Sequence, residues 1–362
     1  MKSIFLASLM LSISAVCAPM AFLPVNTAPV SSAADSAVVS EASKAVQTSQ
    51  AVQASRSAQT AAVQASQAAQ TDSAPALSVD RSVSIGVEQD GKLVAMTLED
   101  YLCATVAAEM PASFPSAALE AQAIAARTLV LHRLTDTTAH PTGAIICTDF
   151  RHCAAFCDFS TLSEASAEAV RNAVRATDGQ VLLYDGEPIT AAFHAISGGM
   201  TEASEDVWGG KLPYLTNVDS PGEESAPNYR TEKTFSASTL AEILSKAYPK
   251  ADFSAPCTLW FADSKRSAAG GILSVEVGGV RVTGTALRSL LGLASTDFTV
   301  KADETKKELT FTCTGHGHGV GMSQYGAAYL AQNGQTAAEI TAHYYPGTVI
   351  ASGISLWKAS AD

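Results

Sequence analysis

The chain has 362 residues, of which 47% are hydrophobic, and a formal net charge of −12. That length can bury one or two sizeable cores. The acidic balance excludes a nucleic-acid binder, because neutralising phosphates takes clustered Lys and Arg on one face, and neither a P-loop nor a dinucleotide fingerprint occurs.

Lys2 opens a nearly unbroken apolar stretch from Ile4 to Leu23, which marks residues 1–25 as a targeting segment. A run of roughly 20 apolar residues can span a bilayer, so a signal-anchor is expected, with a cleaved signal peptide as the other reading. Residues 26–79 collapse to Ala, Ser, Gln, Val and Thr, with VQAS recurring at Val52 and Val63. Such a segment cannot offset its ordering entropy by burial and is expected to be a disordered tether. The folded body is then residues 80–360.

Within it, Val83–Val87 and Lys92–Thr97 alternate as strands around Gln89-Asp90-Gly91. Leu98–Met110 has a helical stripe that stops at Pro111. A second helix runs from Ser116 to about Leu134, opened by Pro115, with Leu119, Ile124, Leu129, Val130 and Leu131 as core positions. The two make a helical hairpin whose elbow is Glu109 to Phe114. A loop from His140 to Phe159 and a helix over Ser163–Ala176 follow. Strands are predicted at Gln180–Tyr184 and Pro188–His194, joined by Asp185-Gly186-Glu187. Further on come a glycine loop at Ser197–Thr201, a helix over Ser236–Tyr248, a hairpin of Gly271–Val277 with Val280–Thr283, and a helix over Thr285–Leu291. A strand ending near Cys313 leads into GHGHGVGMSQYGA at Gly315–Ala327, a helix over Ser323–Gln332, and a last helix behind a Thr336-x-x-Glu339 capping box. The fold class is α+β: a single body in which a helical hairpin and mixed or antiparallel strands line a groove.

Three groups of residues could carry chemistry. Glu109 sits at a helix C-terminus among Val106, Ala107, Ala108, Met110 and Pro111. The helix end and the apolar neighbours favour the neutral acid, which suits a proton donor; the structural alternative is a pair with Arg127 on the facing helix. His316 and His318 read as a metal pair lacking a third ligand, as backbone-bonded loop residues, or as a polar wall for sugar hydroxyls together with Ser323, Gln324 and Tyr325. No nucleophile elbow of the G-x-S-x-G type is present. His140, Cys147, His152 and Cys153 supply two imidazoles and two thiols within fourteen residues, a set that suits tetrahedral zinc. Cys157 could replace either cysteine, and the competing readings are a disulfide from Cys157 to Cys147 or Cys153, or free thiols.

LEDYLCATVAAEMPASFPSAALEAQAIAARTLVL from Leu98, FHAISGGMTEASEDVWGGKLPYL from Phe193, and GHGHGVGMSQYGAAYLAQNG followed by HYYPGT from Gly315 together resemble the stage II sporulation protein D family of peptidoglycan lytic transglycosylases. The likeness spans most of Val83–Trp357 and is weakest over Glu223–Lys307. It implies cleavage between N-acetylmuramic acid and N-acetylglucosamine in glycan strands stripped of peptides, with Glu109 as the catalytic acid. His316, His318, Ser323, Gln324, Tyr325 and Ser197 would line the sugar groove. Some family members hold zinc in the loop after the second helix, which supports His140, Cys147, His152 and Cys153 as a structural Zn²⁺ site. The resemblance also implies membrane anchorage with the body in the space between mother cell and forespore. Implied partners are the sporulation amidase, stage II sporulation protein P, and the polytopic membrane protein, stage II sporulation protein M. A related class sharing the GHGVGMSQYGA motif enhances amidases without cutting glycan, and is the alternative function.

Overall fold

The computed structural model describes residues 78–135 and 140–353. The expected targeting segment, nearly all of the tether, and residues 354–362 lie outside the described residues. Among those described, no helix is long and apolar enough to cross a membrane.

The described chain is α+β, with nine α-helices and several short sheets. After a one-turn helix α1 (Val79–Ser82), β1 (Ser84–Gln89) and β2 (Lys92–Thr97) form an antiparallel hairpin. Asp90 and Gly91 turn it with positive φ at both positions, the geometry that matches strand twist in a two-residue loop. The Thr97 side chain then caps α2 (Leu98–Glu109) by accepting from the Asp100 amide. α2 ends where Met110 turns extended ahead of Pro111, which disfavours helix in the residue before it.

α3 (Ser116–Thr135) is the centre of the first core. Its alanines Ala118, Ala121, Ala123, Ala125 and Ala126 are buried alongside Leu119, Ile124, Leu129, Val130 and Leu131. A helix buried on most sides needs small residues to let its neighbours approach. Those neighbours are α2, α4 (Glu164–Ala176), β4 (Gln180–Tyr184), α8 (Gln324–Gln332) and α9 (Ala337–Tyr344).

Arg127, fully buried on α3, does not meet Glu109. Its guanidinium donates to Asp80 (Nε to Oδ1 at 2.8 Å, Nη2 to Oδ2 at 2.5 Å) and to the Gln180 and Val174 carbonyls. The hairpin-staple reading of Glu109 is therefore overturned: the arginine ties α1 to the core. Arg127→Met is expected to leave Asp80 buried and unpaired at a cost of about 3–5 kcal/mol. Chemical denaturation reads this directly, and an unchanged midpoint would contradict it.

β3 (Ile146–Cys147) adds in parallel to β1, and β4 pairs antiparallel with β14 (Val349–Ser352) and β5 (Glu187–Pro188). The strand expected over Pro188–His194 is broken. Only β5 and β6 (Phe193–His194) pair, because the chain between them bends until the Ala192 carbonyl accepts from the Met322 amide and the Tyr345 hydroxyl. β6 pairs in parallel with β13 (Met322–Ser323).

A short helix α5 (Ser204–Trp208) follows, and a second apolar core is then built from residues between Leu240 and Cys313. It combines β7 (Arg230–Ser236), α6 (Ala237–Ala247), β8 (Phe261–Arg266), β9 (Ile272–Val277), β10 (Val280–Thr283), α7 (Gly284–Leu291), β11 (Phe298–Asp303) and β12 (Glu308–Thr314). The sheets are β10-β9-β8 and β11-β12-β7, both antiparallel. This lobe interrupts the first core, and β12 returns the chain to it at Gly315.

Candidate active site

Glu109 stands at the last turn of α2, half-buried, with both carboxylate oxygens engaged. Oε1 accepts from the Ala155 amide at 2.7 Å and Oε2 from the Gln324 side-chain amide at 3.0 Å. Its sequence neighbours are apolar, as read, yet the carboxyl itself faces two polar donors from distant segments. The elbow is braced against α8: Phe114 meets Tyr325 edge-on, with ring centroids 5.0 Å apart.

Gln324 reaches Glu109 because of the glycine run that precedes it. Gly315, Gly317, Gly319 and Gly321 all have positive φ, so every second residue takes a conformation that L side chains avoid. The run lies along residues 192–202 so closely that a Cβ on Gly321 would sit 2.0 Å from the Ala192 carbonyl oxygen, and one on Gly317 would sit 2.8 Å from the His194 Cβ. This backbone contact leads into β13 beside β6 and sets the start of α8, where Ser323 caps the helix.

The alternation leaves the His316 side chain outside that contact and packs His318 beside His194. His316 is exposed, its backbone bridging to Ile196. His318 is half-buried: its Nδ1 accepts from the Val320 amide, and its ring lies 5.4 Å from the half-exposed Trp208 and 5.7 Å from His194. Desolvation pushes His318 down to about 4 and His194 to about 3. Both rings are then neutral at neutral pH, where an unperturbed imidazole titrates near 6.5. NMR titration is expected to show no step for either ring between about pH 8 and pH 5; a step near 6.5 would contradict it. Neither His316 nor His318 belongs to a metal-type cluster among the described residues.

Tyr325 faces the elbow as described above. Ser197 lines a small cavity beside the glycine run together with Gly317 and His318, and Ser323 lies at the start of α8. Both are buried, and both hydroxyls donate to the Glu223 carboxylate, at 2.8 and 2.9 Å. Sequence reading passed over Glu223, Trp208, Phe114 and the Ala155 amide. Phe114 and Trp208 stand inside the family-like motifs, whereas Ala155 and Glu223 lie outside them and carry no local signal.

The loop after α3 gathers His140, Cys147, His152 and Cys153, whose candidate ligand atoms all lie within 4.8 Å of one another. His140 Nε2 is 3.1 Å from His152 Nδ1, Cys147 Sγ is 3.4 Å from His152 Nδ1, and Cys153 Sγ is 3.4 Å from His140 Nε2. Tetrahedral zinc–nitrogen and zinc–sulfur bonds imply ligand–ligand edges of about 3.3–3.8 Å, so the set can hold such an ion. His140 Nδ1 donates to the Ala144 carbonyl at 2.9 Å, which leaves the Nε2 lone pair facing the cluster. Burial pushes the Cys153 thiol up to about 12; a cation would draw off that proton. Cys157 instead faces the Ala104 carbonyl, and the cysteines among the described residues are free thiols. The disulfide reading and the Cys157 substitution are both overturned.

The family described as Stage II sporulation protein matches residues 88–184, which hold the helical hairpin, Glu109 and the four-residue cluster. The stage II sporulation protein D of Bacillus subtilis is 35% identical over 70% of this chain and 74% of its own. The chain belongs to the stage II sporulation protein D family. The Bacillus amyloliquefaciens protein of the same name is 34% identical over 71% of this chain and 75% of its own. An amidase enhancer of Bacillus subtilis is 30% identical over 67% of this chain but only 39% of its own. Membership places the chain in a sporulation family, with an amidase-enhancing relative.

Proposed function

We propose that this protein is a lytic transglycosylase that cuts the bond between N-acetylmuramic acid and N-acetylglucosamine in peptide-free glycan, during wall remodelling in sporulation. The observation that carries the reading is Glu109, held at the elbow by Gln324 from the glycine run and by the Ala155 amide. As the acid, Glu109 gives its proton to the leaving glycosidic oxygen. As the resulting carboxylate, it takes the proton of the muramic C6 hydroxyl, whose oxygen bonds to the anomeric carbon and leaves a 1,6-anhydro end. One carboxyl serves both steps, and no water is consumed. Hydrolases that use two carboxylates differ in this respect.

The neutral imidazole of His318, exposed His316, Gln324, Tyr325 and the Trp208 face supply hydrogen-bonding groups and an aromatic surface suited to sugar hydroxyls and ring faces. His140, Cys147, His152 and Cys153 would hold Zn²⁺. With four protein ligands the ion supplies a structural crosslink, not an activated water. The body is proposed to work outside the cytoplasmic membrane, tethered by its N-terminal segment between mother cell and forespore. Proposed partners are the sporulation amidase, stage II sporulation protein P, whose action bares the glycan, and the membrane protein stage II sporulation protein M.

A second reading follows from the amidase-enhancer relative: glycan binding that stimulates an amidase without cutting. Incubating the purified protein alone with peptide-free strands separates the two. Shortened strands support the enzyme; intact strands with a stimulated amidase support the enhancer.

A further inference from the structure

Glu223 is only 1% exposed, and its hydrogen-bonding partners are neutral donors. Its oxygens accept from the Ser197 amide at 2.7 Å, the Ser197 hydroxyl at 2.9 Å, the Ser323 hydroxyl at 2.8 Å, and the Ser220 hydroxyl. Ser220 in turn meets the buried Tyr344 hydroxyl of α9 at 2.7 Å. A carboxylate taken out of water without a cation is costly unless such donors surround it. Burial raises its pKa, and the serine hydrogen bonds oppose that rise.

What the carboxylate joins is more telling than its cost. Ser197 opens the second glycine loop, Ser220 lies in the turn that carries Glu223 itself, and Ser323 is the N-cap of α8, accepting from the Gly326 amide. The packing leaves no room for a larger neighbour. A Cβ on Gly326 would lie 2.8 Å from Glu223 Oε1 and 2.1 Å from the Tyr344 hydroxyl. The residue after Ser323 is Gln324, which donates to Glu109.

We propose that Glu223 is a positioning residue: a buried carboxylate that fixes Ser323 against the second glycine loop and so aims Gln324 at Glu109. Mutual fixing of this kind is what a site needs if one donor must stay within hydrogen-bond reach of an acid carried on another element.

The kinetic part of the test rests on the proposed glycan cleavage; the exchange part does not. Glu223→Gln keeps the volume but puts an amide donor against the Ser197 N–H or the Ser323 hydroxyl. Ser323→Ala removes the link from the other side. In hydrogen–deuterium exchange, amides over 195–199 and 322–327 are expected to exchange faster in both variants, while those over 237–291 keep the parent rate. Cleavage at saturating glycan is expected to fall by about tenfold, as for the loss of one aiming hydrogen bond, with KM nearly unchanged. The double variant should fall little further than Glu223→Gln alone, since both changes break one connection. Unchanged exchange over 322–327 overturns the proposal whether or not the protein cuts glycan. A lowered melting temperature with an undiminished rate per folded molecule also overturns it, leaving Glu223 as a staple only. Failure of the parent protein to shorten glycan would sink the proposed activity and leave the exchange result to decide the role of Glu223.

Discussion

Glu109→Gln is expected to remove glycan cleavage almost entirely while leaving a folded, glycan-binding protein. A positioned general acid is worth about 10²–10⁴-fold in rate, and in the proposed mechanism the same carboxyl also serves as the base, so the loss should lie near the upper end. The substitution keeps the volume and keeps an oxygen for the Gln324 amide to reach. It removes one acceptor, so either the Ala155 amide or Gln324 loses a partner. That costs about 1 kcal/mol, or a melting shift of about 2–4 °C for a body of this size. Rate, binding and melting measured on one preparation separate the outcomes. A variant that cuts at the parent rate would contradict the role of Glu109. One that fails to fold would show that the carboxyl is structural.

Loss of one cluster thiol, as in Cys147→Ser, is expected to have the next largest effect, and through the same carboxyl. The four candidate ligands sit on a loop whose next residues are Ala154 and Ala155, and the Ala155 amide is one of the two donors on Glu109. A zinc bound there would pin that amide. The variant is expected to lose metal affinity by more than the roughly 10–100-fold that an outer-shell partner contributes, to melt lower than the parent, and to cut glycan more slowly. Chelation of the parent should reproduce all three, with recovery on adding zinc. Elemental analysis gives the stoichiometry. A purified parent protein that carries no zinc, and whose melting does not respond to chelator or to added zinc, would contradict the assignment.

The local parts of this fold were legible in the sequence because local physics decides them. Pro111 ends α2, Thr336 and Glu339 close a capping box, and Asp90-Gly91 turns its hairpin. The four-residue cluster was legible for the same reason, since its candidate ligands lie within fourteen residues of one another. Strands β7, β8 and β11 were not. Arg230–Ser236 and Phe261–Arg266 are polar and mostly exposed, and they are strands because their backbones pair with β12 and β9, not because one face is apolar. The Pro188–His194 run reads as one strand until the glycine run, far along the chain, bends it at Ala192.

The site shows the same division. Glu109 could be singled out from its place at a helix end, but its partners lie 46 and 215 residues away, and only the fold brings them together. Ser323 and Ser197 look like groove residues from their motifs. A buried carboxylate in the least family-like stretch takes up both hydroxyls.

The central claim is that Glu109 directs the muramic C6 hydroxyl, and not water, onto the anomeric carbon. Mass spectrometry of the products from purified protein and peptide-free glycan tests it most directly. Every new muramic end is expected to be the 1,6-anhydro form, lighter by one water than a reducing end. New ends that carry the added water would contradict the mechanism, and strands left at their original length would contradict the activity.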